Sequence, residues 1–310
     1  MYPLKFNNLY YEKVWGGQDL QRFRENVPKG KIGESWDVAC HKNGNSIVVN
    51  GPLKGLTLED IALKYHNAIL GERISKDRFP LLLKIINAKE KLSVQVHPKD
   101  EYSMSVENQP GKSEIWYVLD AEEDASLVVG TKMCTKEQFA LGIKEKNLEK
   151  YLNTIKVKKG EVYYIPSGLV HAIGEGITIV EIQQNSDVTY RVYDYDRDRE
   201  LHVDKALDVI DLSLVGKKIN PIIETGNGYT KFNLCRCSYF TVEEYEVQDK
   251  LLQKTNGDRF YIYTCVEGGG KIHFKDGVET IAFTESVLIP ATLGEYMIEG
   301  QLKLLKTYVT

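Results

Sequence analysis

Ile165-Pro-Ser-Gly-Leu-Val-His-Ala-Ile-Gly-Glu-Gly176 is echoed late in the chain by Ile289-Pro-Ala-Thr-Leu-Gly-Glu-Tyr-Met-Ile-Glu-Gly300. Both stretches share an Ile-Pro pair, a later Glu-Gly, and a polar residue five past the proline, His171 in one and Glu295 in the other. Upstream, Val162-Tyr-Tyr-Ile165 parallels Ser286-Val-Leu-Ile289, each a strand running into its Ile-Pro turn. A unit used twice predicts two β-barrels of the jelly-roll kind in tandem.

The surrounding chain agrees with a mainly β protein. Short runs suited to strands recur between glycines: Gly44 to Asn50, Glu114 to Leu119, Ala125 to Gly130, Val162 to Ile165, Ile177 to Gln183, Tyr239 to Val247, Phe260 to Val266 and Lys271 to Lys275. Helices are expected at Thr57 to Leu70, where Thr57 and Asp60 form an approximate capping box, at Thr135 to Leu152, and at Val203 to Leu212. The expected organisation is a first domain over residues 1–215 with a small helical insertion at about 130–159, then a second barrel over residues 216–310. Gly268-Gly-Gly270 lacks the Gly-Lys-Ser/Thr ending of a phosphate loop and reads as a turn.

Four residues in the first half have the chemistry of a metal site. In Lys91-Leu-Ser-Val-Gln-Val-His-Pro98 the alternation of a strand projects Gln95 and His97 to one face and Val94 and Val96 to the other. Glu114 opens a strand and His171 follows the turn after Ile165. One amide oxygen, two imidazoles and a carboxylate are N/O donors of the kind zinc accepts, with a position left for water. Taken singly, each has a plainer account: a hydrogen-bonded pair for Gln95 and His97, a turn cap for His171, an exposed ion pair with Lys112 for Glu114.

Several blocks together resemble type I mannose-6-phosphate isomerase of the cupin superfamily, in its short bacterial form. They are Trp15-Gly-Gly17, Gly33-Glu-Ser-Trp36, Phe79-Pro-Leu-Leu-Leu-Lys84, Leu92 to Pro98, Lys112-Ser-Glu114 with Ser113 where the family has proline, Ile165 to Ala172, and Glu181-Ile-Gln-Gln-Asn-Ser-Asp-Val-Thr-Tyr-Arg191. The match weakens beyond about residue 215. The resemblance implies two cupin-type barrels, one zinc ion per chain on Gln95, His97, Glu114 and His171, and Arg191 as the catalytic arginine. It implies a zinc-dependent aldose–ketose isomerase interconverting D-mannose 6-phosphate and D-fructose 6-phosphate through an enediol. A cupin-type oxygenase and a non-catalytic sugar-binding cupin are the alternatives, the first disfavoured by the Gln ligand and by Lys112.

Phosphate recognition and proton transfer need further groups. Lys84, in an otherwise apolar strand, is costly to bury unless it meets an anion, and it matches a family lysine in the pocket. Ser93, inward with Gln95 by alternation, is the second candidate for substrate binding. Arg191 can clamp an oxyanion with its planar fork. Lys112, Glu181, Asp187 and zinc-bound water all qualify by type as the base. In the second barrel, aligning Trp116-Tyr-Val118 with Tyr261-Ile-Tyr263 sets Arg259 against Glu114, so that barrel is expected to be metal-free.

Composition narrows the class. The 310 residues carry 40 Lys plus Arg against 44 Asp plus Glu, a formal charge of -4 scattered along the chain, so no concentrated basic face for nucleic acid is expected. No apolar run reaches the roughly 18 residues of a membrane span, and the N-terminus reads as no cleavable signal. Five cysteines without a Cys-x-x-Cys pair suit a reducing cytoplasm, and Cys235-Arg-Cys237 reads as two small buried residues. The expected partner is a small sugar phosphate; oligomeric state is left open.

Overall fold

The computed structural model describes every residue, Met1–Thr310. Its first half is two antiparallel sheets packed face to face. The six-stranded sheet runs, in spatial order, Val162–Ile165, Glu114–Ala121, Ile177–Gln184, Leu81–Ala88, Ile32–Val38 and Leu9–Gly17. The five-stranded sheet runs Leu152–Lys156, Ser126–Thr131, His171–Ile173, Val94–Val96 and Tyr190–Tyr193. Ile86, Trp116 and Val118 of the first meet Leu127, Val129 and Ile173 of the second in the core between them.

Leu81–Ala88 and Ile177–Gln184 are buried at every position. Their many consecutive apolar residues follow from having both faces covered, and the buried polar exceptions include Lys84 and Glu181. One face looks into the barrel. On the other, Leu83, Ile85, Val180 and Ile182 pack with Phe240, Phe260, Ile262 and Leu305 of the second half in a shared core. A layer containing Phe139, Ile143 and Ala206 likewise covers Val94, Val96 and Ala172 on the outside of the five-stranded sheet. No helix is long and apolar enough to cross a membrane.

The second half is a single nine-stranded sheet folded over on itself. Two 14-residue strands, Tyr261–Phe274 and Glu295–Tyr308, belong to both layers and enclose Tyr245, Tyr263, Ile272, Ile298 and Leu304. Here the structure corrects the reading of Gly268 to Gly270. They are not a hairpin turn: they lie inside one strand, where two separate strands were expected, and pair with Gly300 to Leu302. Added Cβ atoms at Gly268 and Gly270 would stand 2.1 Å from the Gln301 carbonyl oxygen and 2.3 Å from that of Glu299, and Gly268 has φ of +72°. Glycine is required because the sheet bends sharply while its strands stay paired.

Other departures are local. The helix expected from Thr135 is only Lys136–Lys144, with a complete capping box from Thr135 and Gln138. Lys146 at φ of +55° breaks it, and Leu152–Lys156 returns as a strand against Ser126–Thr131. The insertion is therefore only partly helical. Gly44 to Asn50 gives only the two-residue strand Gly44–Asn45, hairpinned against Cys40–His41. The Thr57 capping box is present, but the helix breaks at Tyr65 into Leu58–Lys64 and His66–Ile69. Helix Asp100–Glu107 has no counterpart in the expectations. Leu4–Lys5 pairs with Val287 and Leu288, so the first residues of the chain extend the second sheet.

Candidate active site

Adjacent strands assemble the four-residue cluster. His171 stands opposite Gln95 across one ladder, and Arg191 stands opposite Gln95 across the next. Glu114 begins the strand on the facing sheet, and His97 immediately follows Val94–Val96. His97, His171 and Glu114 are at most 1% exposed. The His97 and His171 Nε2 atoms are 3.1 Å apart, and the Glu114 carboxylate lies 3.7 Å from the first and 3.6 Å from the second.

Each ring is fixed from behind. His97 Nδ1 donates to the Val188 carbonyl at 2.8 Å and His171 Nδ1 donates to that of Leu169 at 2.9 Å, so both Nε2 lone pairs point into the cluster. Burial pushes the His97 pKa well down and that of His171 to about 4, keeping both imidazoles neutral, the form that ligates. Glu114 Oε1 is buried without a hydrogen-bond partner, and Oε2 meets the Lys112 ammonium, Nζ 2.9 Å away. An unpartnered buried carboxylate oxygen and two convergent imidazole lone pairs suit a divalent cation better than they suit one another. Gln95 presents its Nε2 3.3 Å from His171 Nε2, and a half-turn of the isosteric amide would offer Oε1 as a fourth donor.

A cavity of about 400 Å³ opens in front of the cluster. Lys84, Ser93, Lys112, Glu181, Asp187 and Arg191 all line it, with Gln95 at its base. Lys84 is 5% exposed and meets the anions its burial demands: Glu181 Oε2 at 3.4 Å and Glu34 Oε2 at 3.8 Å, with its ammonium 5.0 Å from the Trp36 ring. Burial works against its charge, but Glu114 and Glu181 hold Lys112 protonated well above the usual lysine range. Burial, with Glu181 nearby, raises Glu114 to about 7. Glu181 goes the other way: against burial, Lys112 and Lys84 lower it, and Trp116 Nε1 donates to it at 3.2 Å. Arg191 Nε donates to Ser93 Oγ at 3.2 Å and Nη1 to the Glu200 carbonyl at 2.8 Å. Asp187 sits at the mouth, hydrogen-bonded by Asn43.

Glu34 and Lys13, which were not singled out in the sequence, also line the cavity, as does Arg199. Alternation in Gly33-Glu-Ser-Trp36 was enough to set Glu34 beside Trp36, as the Trp36 Nε1 to Glu34 bond of 2.7 Å shows. Arg199 lies in the charged run Thr189 to Arg199, which by sequence reads equally well as a surface loop; Asp194, 3% exposed, gathers Arg197 and Arg199 onto its carboxylate. Although burial opposes it, Lys84 and Lys13 lower Glu34 to about 2. A carboxylate depressed from 4.5 contributes stability above about pH 4.5 and loses it as pH falls towards 2. Glu34→Gln should therefore cost on the order of 3 kcal/mol at neutral pH, a difference that shrinks to about 1 kcal/mol by about pH 2.5 and vanishes only below about pH 2 in denaturant titrations. A pH-independent difference would mean that packing, not charge, is what Glu34 supplies.

The second half of the chain has different residues at the matching places. Ile165 pairs with Glu114 as Ile289 pairs with Tyr261, and His171 pairs with Gln95 as Tyr296 pairs with Gln253. The register thus replaces Arg259 and Glu295 as the counterparts of Glu114 and His171. They are Tyr261 and Tyr296, the latter six residues past its proline where His171 is five past. Glu295 points outward, its side chain 80% exposed. The Trp116 and His171 rings cross edge-on at 74°, as do those of Tyr263 and Tyr296. The buried charges are inverted too: Lys306 stands opposite Glu243 where Glu181 stands opposite Lys84. A larger, open groove of about 680 Å³ on this half, beside His273 and Glu295, has neither the histidine pair nor the buried carboxylate.

Layered antiparallel sheets around a buried His–Glu–His cluster with a charged cavity in front define a cupin with a candidate metal centre. The chain belongs to the type I phosphomannose isomerases: the catalytic-domain model of that family matches residues 4–130, and the mannose-6-phosphate isomerase cupin-domain model matches residues 230–309. It is 38% identical to mannose-6-phosphate isomerase ManA of Bacillus subtilis over 96% of both chains, and 34% identical to the mannose-6-phosphate isomerase of Streptococcus mutans over 99% of this chain and 98% of that one. The crystal structure of a mannose 6-phosphate isomerase from Bacillus subtilis superposes with a TM-score of 0.93 at 34% identity, covering 99% of each chain. A mannosephosphate isomerase described as putative, from Archaeoglobus fulgidus, shares the fold at a TM-score of 0.81.

Proposed function

We propose that the protein is a zinc-dependent isomerase that interconverts D-mannose 6-phosphate and D-fructose 6-phosphate through an enediol, in the cytoplasm. The observation that carries this reading is the buried His97–Glu114–His171 cluster, with Glu114 Oε1 left without a hydrogen-bond partner, at the base of a cation-lined cavity. Gln95 completes the donor set. A coupled assay of the purified protein on mannose 6-phosphate, with and without chelator, tests it; a metal-independent rate or no turnover of this substrate would sink it.

Zinc bound there supplies Lewis-acid stabilisation of the oxygen that becomes negative as the carbonyl moves between C1 and C2. The chain's own groups do the rest. Arg191, pinned by Ser93 and the Glu200 carbonyl, offers a planar donor fork to developing negative charge. Lys84 and Ser93 are assigned to substrate binding. Lys112 is held protonated by its two carboxylates, which suits it to donate a proton to an oxygen. Glu181, held ionised by Lys112 and Lys84, and Asp187 at the mouth are the carboxylates assigned to proton transfer. The second barrel, residues 216–310, is proposed to be metal-free and structural.

Proton transfer by a side chain allows exchange with solvent. Turnover in D₂O should place deuterium on the substrate carbons, partially, because the cavity limits water. Complete transfer of a C2 label to C1 with no solvent deuterium would instead indicate a hydride shift and withdraw the proton-transfer roles of Lys112, Glu181 and Asp187. On the second barrel, Glu295→Ala and His273→Ala should leave zinc content and rate within about 3-fold, because both are polar groups at the surface. Loss of zinc from either variant would place a metal role in that barrel.

A further inference from the structure

The hairpin Cys40–His41/Gly44–Asn45 reaches the cavity mouth without contributing any residue assigned to the chemistry. Its tip is held at several points. Tyr11 Oη donates to the Asn43 carbonyl at 2.8 Å, and Tyr11 packs on Trp36 with ring centroids 4.8 Å apart. Gly44 lies so close that a Cβ there would stand 2.3 Å from Tyr11 Oη and 2.9 Å from Trp36. His41, its side chain 7% exposed, accepts from Asn43 N–H at Nδ1 (3.2 Å), so its proton is on Nε2, which donates to Gln109 Oε1 at 3.3 Å. Gln109 belongs to the loop leading to Lys112. With the tip so fixed, the Asn43 side-chain amide donates to Asp187 Oδ2 at 2.5 Å, and His41 Nε2 is 3.8 Å from Asp187 Oδ1.

Asn43 and Asp187 both line the cavity, on separate segments. Their bond closes one side of its mouth and removes rotational freedom from a carboxylate that is otherwise 29% exposed at the end of a loop. We propose that this hairpin is a clasp, and that Asn43 is a positioning residue that orients Asp187 for isomerisation while narrowing the path of water into the cavity. The inference rests on the isomerase reading above and adds to it a residue with no chemistry of its own. A misdirected carboxylate costs rate steeply because proton transfer needs hydrogen-bond reach.

The test is a double-mutant cycle on the zinc-loaded enzyme, begun only once the parent isomerises mannose 6-phosphate; an inactive parent would defeat the isomerase reading, not the clasp. Asn43→Ala should lower kcat about 10-fold with zinc content and Tm unchanged. Asn43→Ala/Asp187→Asn should be no slower than Asp187→Asn alone, since Asn43 acts only through that carboxylate. Gly44→Ala, which lifts the tip without touching either partner, should reproduce the loss, so the inference stays testable if Asn43→Ala fails to fold. In D₂O, Asn43→Ala should at least double deuterium incorporation per turnover. Additive effects in the cycle, or unchanged rate and incorporation in both hairpin variants, would overturn the clasp.

Discussion

Removing the metal, or either histidine that would hold it, is expected to abolish turnover. His97→Ala and His171→Ala should each lose zinc, measured by elemental analysis of the dialysed protein, and at least ~1,000-fold in kcat, the scale of the several kcal/mol a Lewis acid supplies. The loss should not come from collapse of the barrel. His97 and His171 donate to the Val188 and Leu169 carbonyls, so the variants strand one acceptor each, a cost of about 1–3 kcal/mol against a core that extends through both sheets. Chelation of the wild type should give the same loss, reversed by added zinc, and one zinc per chain should restore it fully. Full activity in metal-free protein would end the zinc assignment, and leave Glu114 Oε1 as a buried, unpartnered oxygen with no physical account.

Arg191→Lys is the second large effect, at least ~100-fold in turnover with zinc retained. Arg191 Nε and Nη1 are taken by Ser93 Oγ and the Glu200 carbonyl. These two bonds fix the plane of the guanidinium, and a lysine ammonium is a point charge that cannot reproduce that plane. Retained zinc with lost kcat is the pattern expected of a group that stabilises charge developing in the transition state. A rate near that of the parent would reduce Arg191 to a structural tie between its strand and the Glu200 loop, and shift the stabilising role to Lys112, which lies 2.9 Å from Glu114.

Of the candidate ligand set, the Gln95–His97 pair was legible because strand alternation is local, whereas Glu114 and His171 joined it as ligands through the family resemblance. Gln95 and His97 share a face by their spacing alone, and Lys84 announces an anion by being a lysine in an apolar strand. The same logic would have reached Glu34 through Trp36 had it been applied to Gly33-Glu-Ser-Trp36. It could not have reached Asn43, whose partner Asp187 is remote in sequence and whose position depends on Tyr11, Trp36 and His41 packing around a two-residue hairpin.

What the amino-acid sequence determined by itself is the repeated strand-turn unit, the mainly β class and the types of donor on offer, since periodicity and residue chemistry act over a few neighbours. Tertiary structure alone decided how sheets closed and what each side chain faces. Gly268 to Gly270 became a bend inside a continuous strand because the strand it must stay paired with leaves no room for a Cβ. A register one residue later relative to the Ile-Pro turn sets Tyr296 inward and Glu295 to solvent, because a slip of one residue in a strand exchanges its two faces. The same rule sets His171, in the first barrel, against Gln95 and within reach of His97 and Glu114.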